Sequence, residues 1–132
     1  MNSIIKDSLA KSVSYDTYRK MVSDLLDEGK STGPNQSEAL LNYSSLNDAR
    51  MNRLDKRTKL TDKTVSALKS TKKNQTWLMI TEGWCGDAAQ IGPVVNKMSL
   101  ETDKVDFKVV LRDENEELMN QFLTNGSKSI PK

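Results

Sequence analysis

Tyr15, Tyr18, Val22 and Leu25 recur at intervals of three and four residues in "SYDTYRKMVSDLLDEG", the spacing of one face of a helix. Ser14 stands before this run as an N-cap and Gly29 after it as a stop, which predicts one amphipathic helix. The stretch "KSTGPNQS" is rich in turn formers. Beyond it Ser37 can cap a second helix with Leu40, Tyr43, Leu46 and Leu54 on roughly one side, and "TDKTVSALKS" predicts a third, shorter one. The helical spacing of Tyr15, Tyr18 and Tyr43 points to core or to a docking surface rather than to a ligand cage.

At Trp77 the pattern changes. "TWLMIT" is a short, continuously apolar run, as expected of a strand covered on both faces in a parallel sheet. "GDAAQIGPVVNKMSLE" predicts a helix, and "VDFKVVLRD" predicts a second strand with Val105, Phe107 and Val109 alternating. "ENEELMNQFLTNG" predicts a last helix, opened by the D-x-x-E pair Asp113 and Glu116 and closed by a left-handed Asn125-Gly126. The order is β-α-β-α, for which a right-handed crossover is expected. The fold class is therefore α/β, with a helical N-terminal extension over residues 1–73 and the α/β unit over 74–132, divided near "TKKNQ".

Composition narrows the chemistry. In 132 residues, 36% hydrophobic and 29% charged, no run is long and apolar enough to cross a bilayer, and "MNSIIKDSLAKS" lacks the apolar stretch of an export signal. A cytoplasmic protein without a membrane partner is the expectation. There is no histidine and one cysteine, which excludes an intramolecular disulfide and a serine–histidine or cysteine–histidine couple, and argues against a Cys/His zinc site. The net charge of +2 conceals a basic band: residues 50–73 carry nine basic side chains against two acidic ones. The band has no aromatic residue to stack on bases and no nucleic-acid motif, so it reads as a solvated helix face rather than a nucleic-acid site.

The one cysteine, Cys85, falls between the first strand and the following helix. Unsatisfied N–H groups and the helix dipole at that position favour an anion, and the thiolate is the nucleophilic form of cysteine. Asp87, in the same first turn, opposes ionisation, so a thiol pKa lowered only modestly is the expectation. From these residues alone Cys85 is either a partly accessible, reactive thiol or a small packed residue. Trp84 either packs beside the strand end or flanks a site, and Asp87 is either a first-turn carboxylate or a proton carrier.

Trp84, Cys85 and Gly86, set between a strand and a helix, resemble the thioredoxin family, and most closely its members with a "WCGD" motif and a helical N-terminal extension. Pro93 matches the proline that this family carries within the active-site helix, and Ile130-Pro131 falls where thioredoxins have a cis-proline facing the thiol. The resemblance covers residues 74–132 and departs from the family pattern at Ala88, which stands where the second, resolving cysteine would be. The family fold also continues past the cis-proline, so the α/β unit is expected to be incomplete, with strand edges and apolar faces left open.

The resemblance implies a monothiol role in thiol–disulfide exchange. Cys85 would be the catalytic nucleophile, Trp84, Gly86, Asp87 and Pro131 would support it, and no cofactor or metal is implied. The partners would be a protein disulfide or small thiol, an external reductant, and possible protein partners for the helical extension. The alternative is a non-catalytic thioredoxin-like binding module in which Cys85 is structural.

Overall fold

The computed structural model describes residues 2–132, in the order α1 (Ser3–Lys11), β1 (Val13–Ser14), α2 (Tyr15–Asp27), α3 (Glu38–Arg57), α4 (Asp62–Lys69), β2 (Gln75–Thr81), α5 (Gly86–Leu100), β3 (Val105–Leu111) and α6 (Glu116–Gln121). A 3-10 turn, Arg112–Glu114, lies between β3 and α6. Strands β2 and β3 are parallel neighbours, in register from Gln75 opposite Val105 to Thr81 opposite Leu111, and α5 connects them as expected.

The sheet has three strands, not two, in the order β1-β3-β2. β1 pairs antiparallel with β3, Val13 opposite Val109, so the segment expected to be wholly helical contributes a strand. The open edge of β2 is also partly occupied: Ile80 N–H donates to the Lys132 carbonyl at 2.8 Å, and Lys132 N–H returns a bond to the Ile80 carbonyl at 3.1 Å.

Strand alternation sorts the core into two faces. Met79, Phe107, Val109 and Leu111 turn to one side, where Tyr15, Tyr18 and Val22 of α2, Met51 of α3 and Ala89 of α5 cover them. Ile80 and Val110 turn to the other side, against Leu118 and Met119 of α6 and Ile4 and Ile5 of α1. The first of these clusters spans the division drawn at residue 74, since its side chains come from both sides of it. Helix α1 has no sequence-level expectation behind it. Its stripe is too short to register, and it is held by an Asn2 cap, whose Oδ1 accepts the Ile4 N–H at 2.7 Å, and by its apolar contacts with the second face.

The caps of α2 follow the sequence. Ser14 Oγ accepts the Thr17 N–H at 3.1 Å. At the other end Gly29 takes φ +71°, with Lys30 N–H on the Leu25 carbonyl and Gly29 N–H on the Leu26 carbonyl, a Schellman ending. Ser37 caps α3 as expected, through the N–H of Leu40, and Thr61 caps α4 through the N–H of Thr64.

The face of α3 differs from its apolar pattern. Tyr43 and Leu46 are exposed, and the buried positions are Ser44, Asn47 and Met51. Small and polar side chains serve here because α3 lies alongside α5, close to the loop backbone that precedes it, and that backbone needs hydrogen-bond partners. Arg19 of α2 fastens the outer flank of α3, with Nη1 2.7 Å from Asp48 Oδ1 and Nε 3.2 Å from Asp55 Oδ2. In the basic band Arg53, Lys56 and Arg57 are exposed.

The end of the chain also departs from expectation. Helix α6 stops at Gln121, and Asn125 and Gly126, at φ +51° and +79°, form the turn of a small hairpin in which Thr124 pairs with Ser127. Two consecutive positive φ values suit a two-residue hairpin turn better than a helix terminus. Asp113 does not cap α6. The preceding residue is Asn115, and the Asp113 N–H is engaged elsewhere.

Candidate functional site

Cys85 is the N-cap residue of α5, as its place between an apolar strand and a helix predicts. The apolar run of β2 buries Thr81 and then Glu82, which is fully enclosed at 0% exposure. A carboxylate there needs partners, and two segments supply them. Thr32, from the loop between α2 and α3, donates its hydroxyl to Glu82 Oε2, and the Asp113 N–H donates to Glu82 Oε1 at 3.0 Å. Thr32 Oγ1 also accepts the Gly83 N–H at 2.9 Å, and Asn47 Nδ2 of α3 donates to the Gly83 carbonyl at 3.1 Å. The peptide leading to the thiol is thus held on both sides.

Close approach explains the two glycines of this network. A Cβ on Gly83 would meet Thr32 Cγ2 and Val22 Cγ2 at 3.3 Å. Gly33 takes φ +86° and brings its backbone against Glu82 and Asp113.

The cis Ile130-Pro131 peptide adjoins the thiol, and Cys85 Sγ donates to the Ile130 carbonyl at 3.5 Å. Trp84 is half-buried beneath Arg112, whose guanidinium carbon lies 4.9 Å from the ring centre. Gly86 opens α5, with Arg50 of α3 beside it. Asp87 is exposed in the first turn, and Pro93 is buried within the helix. The structure therefore brings Trp84, Cys85, Gly86, Asp87 and Pro131 into one neighbourhood.

The acidity of the thiol is a correction to the sequence reading. Cys85 is only 9% exposed, and its pKa is raised above the ordinary thiol value rather than lowered. Burial is the largest cause. The N–H groups of Ala88 and Asp87 and the charge of Arg112 act in the opposite direction, and the Asp87 charge adds to the rise. The helix terminus does favour thiolate, but desolvation outweighs it. A hydrogen bond that the neutral S–H donates to Ile130 works in the same direction as burial.

Burial also pushes the Glu82 carboxyl up, against the lowering effect of the Thr32 and Asp113 hydrogen bonds. Tyr18, buried on the α2 side, has its hydroxyl pKa raised, first by burial, with the charges of Glu82 and Cys85 adding to it.

Glu82, Thr32, Asn47, Arg50 and Arg112 escaped the sequence reading. One signal was available for Glu82, a carboxylate directly after a continuously apolar strand. Nothing local marks the other four, which come from the α2–α3 loop, α3 and the turn after β3. Among the described residues no group of three or more Cys, His, Asp or Glu side chains is arranged to hold a metal ion. No helix among them is long and apolar enough to cross a membrane.

No curated protein and no solved structure matches the chain significantly. The thioredoxin family model does match, over residues 33–132, a span that includes α3, the strand pair, Cys85 and the Ile130-Pro131 peptide. Since that span is well over half of its length, the chain belongs to the thioredoxin family.

Proposed function

We propose that the protein is a monothiol member of its family, in which Cys85 exchanges with a protein disulfide or a small-thiol disulfide. The observation that carries this reading is the seat of Cys85 at the start of α5, its sulfur 3.5 Å from the carbonyl that precedes the cis-proline. The Cys85 thiolate attacks one sulfur of the substrate disulfide. A mixed disulfide forms as the old S–S bond breaks, and the departing thiolate takes a proton from water. Ala88 offers no second thiol, so an external thiol must attack the mixed disulfide to return Cys85 to its reduced state. A reducing cytoplasm supplies such thiols. Trp84 and Gly86 shape the loop, Pro131 shapes the substrate groove, and the N–H groups of Asp87 and Ala88 steady the developing sulfur anion. The outward faces of the helices before β2, where Tyr43 and Leu46 are exposed, are open to a protein partner.

The second reading, a binding module with a structural cysteine, is favoured by the 9% exposure and raised pKa of Cys85. Alkylation rate against pH separates the two. The redox reading expects the folded chain to react with a rate that climbs through mildly alkaline pH, and a disulfide reagent to leave one mixed-disulfide adduct that C85S lacks. A folded chain that resists alkylation up to about pH 9, while the unfolded chain reacts, would establish the binding module instead.

A further inference from the structure

We propose that Arg50 selects disulfide substrates that carry a carboxylate within a few bonds of the sulfur that Cys85 attacks. This deepens the redox reading and rests on it. The guanidinium is held in place, because Arg50 Nη1 donates to Asn47 Oδ1 at 3.2 Å, while Asn47, 1% exposed, is anchored through Nδ2 to the Gly83 carbonyl. A methyl group built on Gly86 would stand 3.6 Å from Arg50 Nη1. The charge therefore sits against the residue that follows the nucleophile.

Among the described residues Arg50 forms no ion pair. The other arginine near the thiol is committed: Arg112 binds Asp113 Oδ1 through Nε at 3.0 Å and the Lys128 carbonyl through Nη1 at 3.3 Å. Arg50 is half-buried and keeps donors free, and a guanidinium fork matches a carboxylate in two-point contact. Arg53 and Arg57, exposed on succeeding turns of α3, extend the positive field away from the thiol. Asp87 repels any anion, but this repulsion is common to Arg50 variants, so comparing variants isolates the guanidinium.

The step conserves atoms and electrons. Cys85 thiolate displaces one RS⁻ from R–S–S–R and keeps the other half as Cys85–S–S–R, so that the substrate disulfide is the oxidant. Where R ends in a carboxylate, the retained half places that group near the first turn of α5, beside Arg50.

The test uses the full chain and three disulfides of similar size: 3,3′-dithiodipropionate (anionic), bis(2-hydroxyethyl) disulfide (neutral) and cystamine (cationic). Rate constants for mixed-disulfide formation are read by intact mass at mildly alkaline pH and low salt. R50Q is expected to lower the anionic-to-neutral rate ratio by about five- to twentyfold, with the neutral rate within about twofold of the parent, and R50K to fall between them. High salt should shrink the difference. A disulfide-linked peptide with Glu beside its cysteine distinguishes sources of the carboxylate: an Arg50-dependent gain above that of the dipropionate marks a polypeptide partner, and an equal gain a small molecule. A ratio unchanged in both R50Q and R50K overturns the role of Arg50 while leaving Cys85 redox-active. Failure of all three reagents to form an adduct with the folded parent overturns the redox reading itself.

Discussion

Replacing Thr32 with Val keeps the volume of the side chain and deletes one hydroxyl. That hydroxyl bridges two groups, donating to Glu82 Oε2 and accepting the Gly83 N–H at 2.9 Å. Thr32 is 2% and Glu82 0% exposed, so water has no route to replace it. T32V leaves an amide donor and a carboxyl oxygen buried without partners. Each such group costs about 1–3 kcal/mol, and more when it is charged, so the loss should be about 2–5 kcal/mol.

The loss should also depend on pH. Glu82 already has a raised pKa, chiefly from burial, and the Thr32 hydrogen bond is one of the influences holding it down. Without that bond the pKa rises further. An acid whose folded pKa lies above its unfolded value destabilises the fold as pH climbs from the unfolded value, about 4.3 for Glu, through the folded one. T32V should therefore cost least near pH 4 and most near pH 8. Urea unfolding of parent and variant across this range measures both the size and the slope. A neutral-pH loss under about 1 kcal/mol, or one that does not change with pH, would refute the clamp assigned to Thr32 and Glu82.

Asp87→Asn should speed alkylation of Cys85 at neutral pH, because the Asp87 charge helps to hold the thiol pKa up. Asp87 is exposed, so a gain of about two- to threefold is expected at low salt, fading at high salt, and an unchanged or slower low-salt rate would contradict it. Gly29→Ala should cost about 1–2 kcal/mol in urea unfolding, since a Cβ there meets no atom within 4 Å and only the φ of +71° resists it. Stabilisation, or a loss several times larger, would show that the Schellman ending of α2 has been misread.

Much of the fold was legible because local periodicity reports which face of an element is apolar. The strand pair, the helix opening at Gly86, and the caps at Ser14 and Ser37 all follow from residues within a few positions of one another. Helix α1 and β1 did not, because Ile4, Ile5 and Val13 acquire their structure from contacts with α6 and β3, far along the chain. The buried side of α3 was misjudged for a related reason. Apolar counting favoured Tyr43 and Leu46, whereas the neighbouring loop backbone required Asn47.

The candidate site divides in the same way. Trp84, Cys85, Gly86, Asp87 and Pro131 were named from motif and position, and these residues do converge on one neighbourhood. The sequence alone could place Cys85 at a helix start and so predict the sign of the dipole's effect on its thiol. It could not predict the net acidity. That depends on how much water the surrounding segments exclude, and they come from α3, the turn after β3 and the Ile130-Pro131 peptide. Glu82, Thr32, Asn47 and Arg50 belong to the site for the same reason: the partners of a buried polar group are set by which distant segments the fold brings within about 3 Å, and desolvation by those segments outweighs the local dipole.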